Sequence, residues 1–462
     1  MRYVDPRRTM RGGRSIQQKE GQMAQIIPFR GTLYDPSVVG SIGDVVAPPY
    51  DIIDAAGQKA LHQRHPQNII RLELGIDHAG DDATNNRYTR AADTLQTWMA
   101  DGALKRDAQP ALYYHTIEYA PPSSDARAPR KVLRGFLTTT KLEPLDSGHI
   151  YPHENTRSAA KTDRLNLLKA CKANLSPIWL LYSDPEHAIL GLLERAVKGH
   201  PPTIDFHDDH GCRQQVWRVV DQSVLGQIVQ IMGSKPLFIA DGHHRYETAL
   251  NYQRFRREQA GASNVLKSYD GVLMLLSPLE DPGLTVLPTH RVTTTALPPY
   301  ATVQTQLGEM FDLKEFPFLA ETKAAVRVRF IDALRMNGRI APTFGLALKG
   351  EHRYVTLSLK ASHRPDTDAS PRAKLDVSLL QQLVVSRLCP TQQEQEAILY
   401  TKDDHEALDW VENGAGTGAL LLNATKVSEV QAVAKAGERM PHKSTYFYPK
   451  PLTGLVINVM EE

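Results

Sequence analysis

The stretch "PLFIADGHHRYETALNYQRF", residues 236 to 255, decides how the chain is read. Leu237 to Ala240 form a short apolar run with the length and composition of a buried strand. The run ends on Asp241, Gly242, His243, His244 and Arg245, after which apolar and polar residues recur at helical spacing. A strand that becomes a helix across one glycine presents the unpaired N–H groups of the first helical turn, and about half a positive charge, at the end of a sheet. Anions bind at such ends. Gly242 permits close backbone approach to a ligand, while His243, His244 and Arg245 add donors, so the segment reads as a phosphate cradle. Asp241 either caps the helix, holds a histidine tautomer or helps bind a divalent cation bridging phosphate oxygens, and the residues alone leave these three open.

Outward from this point, short strands alternate with helices, which predicts an α/β or α+β layout, with α+β the expected class. "IIPFRGTLYD", "VVAPPYDII" and "NIIRLEL" read as extended, whereas residues 54–65, 88–105 and 161–173 have helical spacing. "ALYYHTIEYA" and "VLRGFLTTTKL" pair as neighbours across a Pro/Ser/Ala loop at 121–130, and "IWLLY" and "GVLMLLSPL" are further strands. From residue 297 the segments lengthen and become amphipathic, with a hairpin-like "TFGLALKGEHRYVTLSLK" and a helix at 376–388. The expected organisation is a disordered polar tail over 1–24, a phosphate-binding catalytic region over 25–296, and a C-terminal α+β region over 297–462 that packs on it and contributes Lys443.

Composition narrows the function class. The chain has 462 residues, 41% of them hydrophobic, enough for an ample core. Its 54 Lys+Arg against 52 Asp+Glu leave a net charge of +2, so no global field favours nucleic acid or a membrane surface. No apolar run reaches the 18 or so residues needed to span a bilayer and residues 1–24 lack an apolar signal core, which makes a cytoplasmic location the expectation. Cys171, Cys212 and Cys389 are widely separated and have neither metal-site nor disulfide spacing.

Five further clusters carry possible chemistry. "HENTRSAAKTDR" holds His153, Glu154, Lys161 and Arg164, but position 157 is Arg, so the HExxH zinc pattern fails. What remains is a set of cations beside a candidate general base. "MPHKSTYFYPKPLTGLV" contains His442, Lys443 and Lys450 without a glycine-rich loop, which excludes a Walker motif while leaving Lys443 able to reach a phosphate. "APPYDII" stiffens the approach to Tyr50 and Asp51 with two prolines. In "NIIRLEL", Arg71 and Glu73 would share one face of a strand and form an ion pair; "LPTHRV" offers His290 and Arg291.

These segments together resemble a widespread bacterial family catalogued as a domain of unknown function, from Ile26 to the C-terminus. The "DGHHR" box is similar to the phosphate-binding box of the ParB/sulfiredoxin superfamily, which includes free-serine kinases. The resemblance implies a ParB/sulfiredoxin-like mixed α/β core elaborated with additional α+β segments. It also implies a phosphotransferase that moves a phosphoryl group from ATP, ADP or pyrophosphate to a small hydroxyl acceptor, free L-serine, with Mg²⁺ as bridging ion. Asp241, Gly242, His243, His244 and Arg245 match the box, with Asp241 also the metal ligand; Lys161, Arg164 and Lys443 would neutralise phosphate charge. Tyr50, Arg71, His153, His290 and Arg291 would contact substrate. The proton-accepting carboxylate has no matching position, and Asp51, Glu73 and Glu154 are its candidates. A phosphatase using water as acceptor, and a ParB-like nucleotide-binding or DNA-associated module, are the alternatives.

Overall fold

The computed structural model describes residues 24–122, 129–154, 156, 158–261 and 265–461. The predicted tail, up to residue 23, lies outside the described residues, as does most of the 121–130 loop. The α+β class holds: the chain folds around a nine-stranded mixed sheet and a six-stranded antiparallel sheet, with helices on both.

The large sheet explains why its strands were legible. From one edge it runs Ile150–Tyr151, Leu237–Asp241, Ile178–Tyr182, Gly271–Pro278, Lys131–Lys141, Leu112–Tyr119, Arg213–Val219 and Ile204–His207, with Ile26–Ile27 added beside Lys131–Lys141. Its central strands are apolar almost throughout because both faces are covered. Phe238 and Ala240 enter one core with Trp179, Leu181 and Leu273, while Leu237 and Ile239 enter another with Ile178, Leu180 and Met274. Alternate side chains of one strand thus fill two cores. The strand Leu237–Asp241 pairs antiparallel with Ile178–Tyr182 and is followed by the long helix His243–Ala260, which packs on the helix Ser158–Cys171.

The second sheet is ordered Phe311–Pro317, Arg353–Leu359, Thr343–Leu348, Gly418–Leu422, His290–Thr293 and Leu399–Thr401. It therefore recruits residues upstream of 297. After it the chain forms two separate two-stranded pairings: Tyr446–Tyr448 with Thr285–Leu287, and Asn458–Val459 with Ala173–Asn174. These pairings carry Lys443 and Lys450 back toward the box.

Two segments expected to be extended contain helical turns. In "NIIRLEL", residues Ile70–Glu73 form a short helix, opened by the Asn68 side chain, which accepts from Ile70 N at 3.0 Å. Ile69, Ile70 and Leu72 are all fully buried, so a helical turn surrounded by protein mimics the apolar pattern of a strand. In consequence Arg71 and Glu73 do not pair: Arg71 donates to the His62 carbonyl at 2.7 Å, and Glu73 turns to Arg164. "VVAPPYDII" is extended where it leaves the helix Ile42–Val45, with Ala47 bridged to Thr453, and becomes a 3-10 turn over Tyr50–Ile52.

Candidate active site

The strand Leu237–Asp241 ends at Gly242, whose φ of +94° opens the helix His243–Ala260 without any side-chain cap. Glycine is needed twice over. The left-handed backbone disfavours a Cβ, and a Cβ there would lie 3.0 Å from Arg245 Nε, because the guanidinium folds back across the turn. Capping is thus not the role of Asp241. Its Oδ1 accepts from Lys450 Nζ at 2.6 Å and its Oδ2 from Arg245 Nη2 at 2.9 Å. Burial pushes this carboxyl up, but the Lys450 and Arg245 charges outweigh it and hold the pKa below the usual carboxylate range. Arg245 is fixed from its other side by the Pro177 carbonyl.

The two box histidines separate. His243 is buried, and its Nε2 accepts the backbone N–H of His153 at 3.2 Å, which places the ring proton on Nδ1, facing Glu154 Oε2 at 3.9 Å. His153 packs edge-on against it at 4.6 Å between ring centroids and contacts Thr445 Oγ1 at 3.2 Å. Burial pushes His243 well below its ordinary pKa and His153 down to about 4, so both rings are neutral and build the wall. His243 lines the cleft as a neutral ring whose Nδ1 carries the donor proton. His244 faces the cleft.

Around this floor the cleft is lined by Tyr50, Asp51, Glu154, Thr289, His442, Lys443, Thr445, Tyr446 and Lys450. Glu154 has no ion pair with Lys or Arg among the described residues, and desolvation, reinforced by the nearby Asp241 charge, raises its pKa to about 7. Tyr50 is pushed up to about 12 by burial, and its ring lies under Arg164 at 4.3 Å. Of the candidate carboxylates, Asp51 and Glu154 reach the cleft. Glu73 does not: it is buried against Arg164 Nη1 at 3.1 Å. Arg164 spends its remaining donors on Asp163 at 2.6 Å, and Lys161 bonds Glu247 at 2.8 Å in a separate surface groove. Arg71, His290 and Arg291 are also outside the cleft lining. His290 is buried with Nδ1 accepting from Leu422 N at 3.3 Å. Lys450 is the principal residue without a predicted role. Its position between Pro449 and Pro451 was the available signal for a rigidly held cation.

A family model described as "Protein of unknown function (DUF1015)" matches residues 26–378. The chain belongs to this family. Tyr50, Glu154, the box and Thr289 fall within the match, whereas His442, Lys443 and Lys450 lie beyond it. Comparison with curated proteins yields no match. Among solved structures, similarity extends to a free serine kinase variant in complex with ADP, at 13% identity and a TM-score of 0.34, covering 73% of this chain and 96% of that one. A conserved hypothetical protein from Pyrococcus furiosus is similar at 14% identity and a TM-score of 0.33, covering 71% and 95%. SbnI with C-terminal truncation from Staphylococcus aureus is similar at 12% and 0.32, covering 70% and 87%.

In electrostatic terms the cleft combines a helix N-terminus, three cations (Arg245, Lys443 and Lys450) and three carboxylates (Asp51, Glu154 and Asp241). Among the described residues no group of three or more His, Cys, Asp or Glu side chains is arranged to enclose a metal.

Proposed function

We propose that this protein is a phosphotransferase acting on a small hydroxyl substrate, free L-serine, with ATP, ADP or pyrophosphate as donor. The observation that carries the reading is the joint placement of Lys443, Lys450, the His243–Ala260 helix start and Glu154, a carboxylate poised near neutral pH, in one cleft. The likeness of the Asp241–Arg245 box to the ParB/sulfiredoxin phosphate box, and the ParB/sulfiredoxin-like core that goes with it, support the same reading.

Phosphoryl transfer demands little covalent chemistry from a protein and much positioning and charge neutralisation. The backbone N–H groups at the helix start, with His244 and Lys443, would hold the donor phosphates. Asp241 keeps Lys450 and Arg245 in fixed orientation at the cleft floor, where their charge oppose that of the transferring group. Glu154, with its pKa about 7, accepts the proton of the serine hydroxyl as the oxygen attacks phosphorus. Asp241 and Asp51 would hold Mg²⁺, which supplies further neutralisation of phosphate charge when bound.

The test is to incubate the purified protein and Mg²⁺ with L-serine and, in turn, ATP, ADP and pyrophosphate, and to follow O-phosphoserine. Product with one donor is expected. Absence of product with all three, or hydrolysis of added phosphoserine without any forward transfer, would overturn the assignment; the second result would indicate a phosphatase.

A further inference from the structure

Arg291 is a buried cation whose charge no neighbouring carboxylate balances among the described residues. It sits on the strand His290–Thr293 of the second sheet, is buried, and has no carboxylate within ion-pair distance among the described residues. Burial lowers its pKa only to about 10, so it remains a cation at neutral pH. A buried charge without a counter-ion is costly, and a chain that keeps one without a carboxylate beside it needs another source of negative charge.

The groups that Arg291 does touch identify that source. Nη1 donates to the Thr289 carbonyl and Nη2 to the Lys443 carbonyl at 3.2 Å, while the guanidinium lies 5.5 Å from the centre of the Tyr400 ring. Thr289 and Lys443 both line the cleft. Lys443 is held at φ +55°, a left-handed conformation that is unfavourable for a lysine and persists only where its surroundings enforce it. The Thr289 hydroxyl is buried and has no hydrogen-bond partner.

We infer that Arg291 is a positioning residue for the anionic phosphate donor: it clamps the Thr289 and Lys443 backbones so that the lysine and the unpartnered hydroxyl face the donor. Its own charge is balanced by the donor's phosphates. The second sheet thereby contributes to the site without lining it. The inference rests on the proposed phosphoryl-transfer reading and names the residue on which donor recognition depends.

The closing experiment measures calorimetric binding of inorganic pyrophosphate and of ATP, and the KM values for donor and serine, in the full chain. Arg291→Met, which keeps the volume and removes the charge, is expected to weaken donor binding and raise donor KM by roughly tenfold, the scale of one unit charge acting over about 10 Å at an effective dielectric near 20. Serine KM should stay within about twofold. Arg291→Lys keeps the charge but loses the two-carbonyl clamp and should recover part of the loss. In a Lys443→Met background the Arg291→Met effect should shrink, because the two residues act as one unit. A structural cross-link alone would instead give additive losses, or a lower melting temperature with unchanged donor KM, and either outcome overturns the inference. Should Arg291→Met fail to fold, Arg291→Lys decides: donor KM equal to that of the unaltered protein refutes the clamp. If the unaltered protein forms phosphoserine and Arg291→Met does so equally well, only this inference falls. If the unaltered protein neither binds a donor nor forms product, the phosphotransferase reading falls first and takes the inference with it.

Discussion

Asp241→Asn tests the organisation of the cleft floor directly. The carboxylate and Lys450 are 14% and 12% exposed, and the contacts from Asp241 are 2.6 Å to Lys450 and 2.9 Å to Arg245. At an effective dielectric near 20, each contact corresponds to about 6 kcal/mol of gross attraction. Most of that is offset by desolvation, so the measurable consequence is the cost of stranding cations rather than the attraction itself. Removing one member of a buried pair costs roughly 3–5 kcal/mol. Asp241→Asn leaves two cations without their carboxylate and is expected at the upper end of that range. Lys450→Met leaves Asp241 with Arg245 and should cost roughly 1–3 kcal/mol, the penalty for one lost charged partner. The double variant should cost less than the two single costs together, since removing Lys450 relieves part of what Asp241→Asn creates. The assay is urea denaturation at pH 7 followed by fluorescence, to which Trp179, paired with Asp241 across the sheet, contributes. The pH dependence has a definite sign. Because the folded-state pKa of Asp241 is depressed, its stabilisation is complete above the unfolded value near 3.9 and is lost as pH falls below that toward the folded pKa. Asp241→Asn should lack this part of the acid-induced loss. A cost below about 1 kcal/mol, or strict additivity in the double variant, refutes the reasoning.

Three other outcomes follow from the same geometry. Glu154→Gln should lower the rate of phosphoserine formation by about 10²–10⁴-fold, and in the unaltered protein the rate should fall as pH drops through about 7, because the base must be ionised; a rate flat from pH 6 to 8 excludes Glu154 as that base. Arg164→Met removes the partner of buried Glu73 and should destabilise by roughly 3–5 kcal/mol while leaving donor KM in the folded protein unchanged; a raised donor KM would return Arg164 to the phosphate site. Gly242→Ala places a Cβ against the Arg245 guanidinium at positive φ and should lose roughly 1–3 kcal/mol together with donor affinity, as read by thermal melting and calorimetry; an Ala variant that binds donor normally shows that the folded-back guanidinium is dispensable.

The strands of the large sheet were legible because burial on both faces makes them continuous apolar runs, as in Leu237–Ala240 and Gly271–Pro278. The turn at Gly242 was legible for a local reason, since a glycine between a buried strand and a helix signals a left-handed residue wherever the chain goes next. The same local logic failed for "NIIRLEL". A helical turn of four residues enclosed by protein has the composition of a strand, and its Asn68 start depends on side-chain bonds to the Asp44 and Val46 carbonyls, at 2.7 and 3.1 Å.

Sequence by itself determined the α+β class, the strand, glycine and helix that carry the box, and the pool of charged residues from which a site could be drawn. Tertiary structure alone decided which of them meet. Asp241 finds Lys450 across 209 residues, whereas Glu73 is withdrawn to Arg164 across 91. His243 is buried against His153 while its neighbour His244 is only half-buried, although both lie along the cleft, a difference set by which side of the first helical turn rests on the core. Side-chain chemistry is written locally, but charge pairing and desolvation depend on distances that only the packed chain defines, and these decide whether a carboxylate is a brace, as Asp241 is, or a base near neutrality, as Glu154 is.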